Sequence, residues 1–151
     1  MRFSKSCSYA IQASLYLAST RDERRYVPIR EISEQLGISY HFLTKILQSM
    51  SNQRILISYR GPHGGVGLAR PASQISILDI ITAVEKIDFF EECLMGLPGC
   101  GSSKPCPLHD SWERTRKKMM RTFETMSLGK LAGSVRRGTQ RISGFEKDCS
   151  R

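Results

Sequence analysis

No apolar run in this 151-residue chain is long enough to cross a bilayer. The opening, Met-Arg-Phe-Ser-Lys-Ser, is basic, but no hydrophobic signal core or small-residue cleavage site follows it. Both absences point to a cytoplasmic protein with no membrane partner. There is no internal repeat. Catalytic signatures are missing too. No Gly-rich phosphate loop, nucleophile–base constellation or carboxylate pair stands out, and the Cys-x-x-Cys of a dithiol oxidoreductase is absent. An enzyme is therefore not expected. Acidic residues are scarce at the two ends. Residues 1–75 hold ten Lys/Arg against four Asp/Glu, and residues 129–151 hold six against two. Residues 76–128 are near neutral, with seven against eight. The net charge of +9 thus sits at the ends. A basic N-terminal half suits a polyanion such as DNA, although a merely solvated basic surface has the same composition.

What the chain does have is cysteine in one place. Three of its five cysteines and one of its three histidines fall in the pattern Cys-x6-Cys-x5-Cys-x2-His, from Cys93 to His109. Gly96, Pro98, Gly99, Gly101, Pro105 and Pro107 break helix and strand throughout, so this stretch is a loop. A loop can turn each sulfur inward. In a reducing compartment, clustered cysteines favour metal or redox chemistry over disulfides. Cys93, Cys100, Cys106 and His109 are therefore candidate metal ligands. Three thiolates and an imidazole suit an iron–sulfur cluster or a structural zinc equally, and a metal-free thiol site is a third reading. The blander role for His109 is to cap the helix that follows.

The N-terminal half carries helical spacing. Ser4 or Ser6 can cap a first helix to about Ser19, with Cys7, Ala10, Ile11, Ser14, Leu15 and Ala18 on one face. A short second helix follows Pro28, faces Ile29, Ile32 and Leu36 inward, and ends at Gly37. Ser39 is placed to cap a third helix with a buried stripe of Leu43, Ile46, Leu47 and Met50. Two short helices joined at a Gly turn form the helix-turn-helix pattern. Ser39, Tyr40, His41, Thr44, Lys45 and Gln48 would then reach bases and phosphates. Next, 56–60 and 66–70 read as strands around Gly61-Pro62-His63-Gly64-Gly65. A hairpin in that place is a wing. Arg60, His63, Gly64 and Arg70 make its tip basic and slim enough for a phosphate or the minor groove.

Ser76 caps a fourth helix, Asp79 complements its N-terminal dipole, and its face is Ile77, Ile80, Ile81, Val84 and Ile87. Beyond His109 a long helix runs from Asp110 to about Met126, striped with Trp112, Met119, Met120, Phe123 and Met126. It needs packing to persist, and the same helix of a second subunit would supply it. From about Gly133 the chain reads as a basic, disordered tail, in which Cys149 is an uninvolved thiol. The expected fold is mainly α with a small β-hairpin wing. A winged helix-turn-helix DNA-binding domain (1–87) leads into a metal loop (88–109), a dimerisation helix (110–132) and the tail (133–151).

These features together resemble the IscR/NsrR-type family of bacterial winged-helix transcription regulators. The resemblance covers roughly residues 1–132. It rests on Met-Arg-Phe-Ser with Tyr9-Ala10, and on Ile32-Ser33 before Leu36-Gly37-Ile38-Ser39. Phe42-Leu43 with Ile46-Leu47, the wing from Arg60 to Pro71, and Ser127-Leu128-Gly129-Lys130-Leu131 complete it. The resemblance implies a homodimer through residues 110–128, a double-stranded operator and a repressor. It also implies an iron–sulfur cluster on the three loop cysteines, sensing redox state, nitric oxide or iron–sulfur status. Cys106-Pro107-Leu108-His109 is similar to members whose histidine completes a two-iron, two-sulfur site, which is favoured here over four-iron, four-sulfur. In nitric-oxide-sensing members an acid near the N-terminus is the ligand; Ser8 stands there in this chain, and its neighbour Cys7 is a substitute candidate. Cys93 and Cys100 are one residue further apart than in the members compared. The alternative is a zinc-stabilised or cluster-free regulator answering a thiol or small-molecule signal.

Overall fold

The computed structural model describes residues 3–20, 25–85 and 90–142. Helix α1 (Lys5–Ser19) starts where Ser4 accepts a hydrogen bond from the Cys7 N–H at 3.1 Å. Its buried face is Cys7, Ala10, Ala13 and Ser14. These side chains are small, so α1 lies close against its neighbours and becomes the centre of the core. The fully buried Ser14 hydroxyl is satisfied by donating to the Ala10 carbonyl at 2.8 Å.

Helices α2 (Ile29–Leu36) and α3 (Tyr40–Asn52) form the helix-turn-helix. Gly37 sits at φ 64°, the left-handed conformation that stops α2. Ile32 and Leu36 are buried as expected, while Ile29 is only half-buried. All four stripe residues of α3 are buried. Ser39 occupies the N-cap of α3, but its side chain makes no capping bond. The turn is held instead by Ser33, whose hydroxyl donates to the Ile38 carbonyl at 2.6 Å.

Strands β1 (Leu56–Tyr59) and β2 (Gly65–Leu68) pair antiparallel, with Leu56 opposite Leu68 and Tyr59 opposite Gly65. Val27 bridges Val66 on the open side of β2 through two backbone bonds of 2.9 Å. Tyr26 stacks on Tyr59, with centroids 5.2 Å apart and planes at 19°. The wing is thus tied to the segment entering α2, a contact that local patterning does not announce.

Helix α4 (Ile77–Val84) begins with a full capping box between Ser76 and Asp79 and buries Ile77, Ile80 and Ile81. Ile87, expected on the same face, lies outside the described residues. Helix α5 (His109–Thr125) follows the cysteine loop, and α6 (Leu128–Arg136) returns to pack on α1 through Leu128 and Ala132. The α5–α6 junction is clamped to the start of α4. Leu128 N–H donates to Ile75 O at 2.8 Å, and Ile77 N–H donates to Met126 O at 3.0 Å. The sequence composition placed an unstructured tail from 133, but α6 continues to Arg136, because Leu128 and Ala132 anchor it one helical turn apart. Cys149 lies outside the described residues. Among the described residues no helix is long and apolar enough to cross a membrane.

Candidate metal centre and nucleic-acid interface

Backbone turns do the work in the cysteine loop. Gly96 and Gly99 adopt φ 66° and 69°, which a residue with a Cβ rarely takes. Successive turns are closed by Gly96 N–H to Cys93 O at 2.9 Å and Cys100 N–H to Leu97 O at 3.3 Å. The chain is thereby folded back on itself, and the Sγ atoms of Cys93, Cys100 and Cys106 all lie within 4.8 Å of one another. Cys93 and Cys106 are 3.8 Å apart. His109, the first residue of α5, brings Nδ1 to 3.5 Å from the Cys100 sulfur. The three thiols and His109 are half-buried. Together with Glu91, Trp112 and Arg116 they line a cavity of about 40 Å³. His109, Trp112 and Arg116 share one face of α5 at spacings of three and four residues. The Trp112 indole N–H donates to the Glu92 carbonyl at 3.0 Å and pins the loop entrance to α5.

The electrostatics differ from thiol to thiol. The backbone N–H of Leu97, and then that of Met95, point at the Cys93 sulfur and hold its thiol down at about 7 against partial desolvation. Cys100 receives a backbone hydrogen bond from Cys106 that favours its thiolate. Desolvation and the neighbouring Cys93 and Cys106 sulfurs outweigh this and raise it. The donor set is soft and sulfur-rich, and with one imidazole it fits an iron–sulfur cluster or zinc.

The second surface is a groove of about 650 Å³ between α3 and the hairpin. Tyr40, Thr44 and Gln48 line its helix wall, and Arg60 and Gly64 its wing wall.

Residues 3–134 match the Rrf2 family, described as iron-dependent transcriptional regulators. The chain belongs to the Rrf2 family. This Rrf2-family regulator is 30% identical over 134 residues to the HTH-type transcriptional regulator IscR of Cronobacter sakazakii, covering 89% of this chain and 82% of that one. Its fold resembles that of IscR from T. potens, with TM-score 0.73 and 22% identity over 93% of each chain. It also resembles CymR, the global cysteine regulator of B. subtilis, with TM-score 0.74 and 20% identity over 88% of this chain and 97% of that one. The fold is the winged helix of these regulators, mainly α with a small β wing. Family members are transcriptional regulators and not enzymes.

The regulator's remaining candidate residues fall in different places. Ser39, His41 and Lys45 are exposed on α3 but outside the groove lining. His63 is exposed at the wing tip and borders a separate hollow with Arg25, Tyr26, Pro28 and Pro62. Arg70, expected on the wing tip, turns away from the groove. It pairs with Asp79 at 3.0 Å and donates to Gln74 O at 3.1 Å, because β2 ends at Leu68 and the chain then turns toward α4. Cys7 is fully buried in the core, where burial, and then Glu85, push its thiol up to about 12. A thiol held protonated in the core is unsuited to ligate a metal at the loop. Sequence reasoning missed Arg116 and Glu91 beside the thiols, and Arg30 and Tyr59 in the groove. For Arg116 the i, i+3, i+7 spacing from His109 through Trp112 was an available signal.

Proposed function

We propose that this protein is a homodimeric DNA-binding repressor whose operator affinity is set by an iron–sulfur cluster held by Cys93, Cys100, Cys106 and His109. The observation that carries the proposal is the convergence of three sulfurs within 4.8 Å, with the His109 imidazole beside one of them. When bound, the cluster supplies an oxidisable and nitrosylatable iron centre, with two irons favoured over four because Cys106-Pro107-Leu108-His109 resembles the pattern of two-iron members of the family. The chain's own residues carry the consequence to DNA. Ligation fixes His109 and so the start of α5, with Trp112 holding the loop entrance. The far end of α5 is tied to the start of α4 through Met126 O and Ile77 N–H, and Asp79 of α4 holds Arg70 just beyond the wing. A change at the loop therefore has a bonded route to the hairpin.

Helix α5 has no fully buried residue, although Trp112, Met119, Met120 and Phe123 are half-buried along it. This supports its use, over residues 110–128, as the contact between two subunits. Two recognition helices would then meet successive major grooves, ~34 Å apart. Releasing the ligands would alter that spacing. A coupling of ~1–3 kcal/mol corresponds to a change in operator affinity of about 5–150-fold.

A second reading has one specific observation in its favour. Two sulfurs on one tetrahedral ion with ~2.3 Å metal–sulfur bonds are separated by about 3.8 Å, so the Cys93–Cys106 distance of 3.8 Å also suits a single structural zinc. Anaerobic purification followed by a visible spectrum and iron, sulfide and zinc analysis separates the two. The proposal expects a coloured protein with iron and sulfide in equal amounts, no colour in Cys106→Ala, and different operator affinities with and without the cluster. A colourless zinc protein, or equal affinities, refutes cluster control.

A further inference from the structure

The groove between α3 and the wing has an arginine on each side. Arg60 stands on the wing wall, and Arg30, the second residue of α2, stands on the wall shared with α3. No acidic residue lines the groove among the described residues. Arg30 belongs to neither the recognition helix nor the hairpin, so helix-turn-helix patterning does not single it out. Its guanidinium lies over the ring of Tyr40, 5.6 Å from the centroid. Among the described residues it forms no ion pair. That distinction matters. A carboxylate partner would hold the side chain and also cancel its charge. An aromatic face holds it and leaves the charge intact, with the planar donor fork free to bond elsewhere. Tyr40 is itself 42% exposed, so its ring is available as a platform at the groove edge.

We propose that Arg30 is a phosphate-contacting residue of the DNA interface and that Tyr40 is its positioning residue, rather than a reader of bases. The assignment rests on the DNA-binding reading above. It places one phosphodiester-binding cation outside the recognition helix, opposite Arg60, so that the backbone of a duplex is gripped from both walls.

The test uses the full chain and a 30-bp duplex of mixed sequence, with affinity measured by fluorescence anisotropy between 50 and 200 mM salt. Arg30→Gln should lower affinity and make the log–log salt slope shallower by about 0.9 per bound subunit. Its deficit relative to wild type should therefore shrink about 3.5-fold per bound subunit across that salt range. Tyr40→Phe keeps the ring and should keep the wild-type slope. Tyr40→Leu removes the ring and should reproduce part of the Arg30→Gln change, and the double variant should bind no more weakly than Arg30→Gln alone. Arg30 and Tyr40 are both exposed, and unaltered thermal unfolding of each variant confirms that the fold is intact. A wild-type salt slope in Arg30→Gln overturns the phosphate contact. Tyr40→Phe binding as weakly as Tyr40→Leu overturns the positioning role, because the hydroxyl would then be what matters. Wild-type protein that binds the duplex at no salt concentration would instead remove the DNA reading on which both assignments rest.

Discussion

Replacing Gly65 by alanine tests how the wing is held. Gly65 is the first residue of β2 and lies against the segment that enters α2. A Cβ at this position would collide with the Val27 carbonyl and sit 2.8 Å from the Pro28 nitrogen. These are backbone atoms, so no side chain can swing aside. The hairpin must back away, and the nearest bonds to give are the pair between Val27 and Val66, each 2.9 Å. Each such bond contributes ~1 kcal/mol net, so their loss costs about 2 kcal/mol. For a chain of this size that corresponds to a fall in Tm of about 4–8 °C. The Tyr26–Tyr59 stack spans the same junction and should loosen with it. DNA affinity should fall as well, since Arg60 and Gly64 ride on the displaced hairpin. The assay is thermal unfolding with duplex binding, set against Gly101→Ala, whose Cβ would meet nothing within 4 Å. A Gly65→Ala protein with the wild-type Tm and unchanged DNA affinity would refute the idea that the Val27 contact holds the wing.

Two further outcomes are expected. Asp79→Ala removes half of a capping box and the partner of Arg70, so it should cost ~1 kcal/mol in chemical denaturation, most of it from the cap because the ion pair is more than a third exposed; unchanged stability would show that neither interaction contributes. In metal-free protein, alkylation of Cys93 should rise with an apparent pKa of about 7, with Cys100 reacting only at higher pH and Cys7 staying inert until the chain unfolds. The sign is that of a depressed acid. The stabilisation of the Cys93 thiolate is present in full above the ordinary thiol value of 9.0 and is lost as pH falls through about 7. Peptide-resolved alkylation showing equal pH profiles for the two loop thiols would contradict the arrangement of backbone N–H groups around Cys93.

Periodic burial was legible in the sequence, and its residues show why. Leu43, Ile46, Leu47 and Met50 share a face because a helix repeats every 3.6 residues, and all four are buried. The Ser76 cap and the Gly37 stop were legible for a similar reason, since each is a local rule acting over three or four residues, while the reciprocal bond from the Ser76 N–H to Asp79 came only with the structure. What escaped were long-range choices. That Arg70 pairs with Asp79 depends on where β2 ends and α4 begins, and that carboxylate is nine positions away. Ser39 had the right identity and position for a cap, but its side chain makes no capping bond, and Ser33 closes the adjoining turn instead. Cys7 showed the same ambiguity from the other side. A cysteine is both a small apolar residue and a ligand, and only its depth in the core decides between the two.

The loop makes the sharpest case. The spacing of Cys93, Cys100, Cys106 and His109 announces a site, but spacing cannot say which atoms meet, because six or five intervening residues can be traversed by many backbones. The choice is made at Gly96 and Gly99, whose left-handed φ values turn the chain twice within four residues. Those turns aim the Leu97 and Met95 N–H groups at one sulfur, so the lowering of Cys93 and the approach of Cys106 to 3.8 Å have a common origin in backbone geometry. A helix would have spent the same N–H groups on its own carbonyls. The glycines that make this stretch unreadable as secondary structure are therefore what let its three sulfurs converge. The opposite holds for His109. It is fixed by the first turn of α5, a rigid element, so the candidate site sets one stiff imidazole beside three thiols on a turning loop. A displacement on the loop side would reach α5, whose C-cap Met126 accepts from Ile77 N–H at the first residue of α4, while Leu128 at the start of α6 bonds Ile75 just before it.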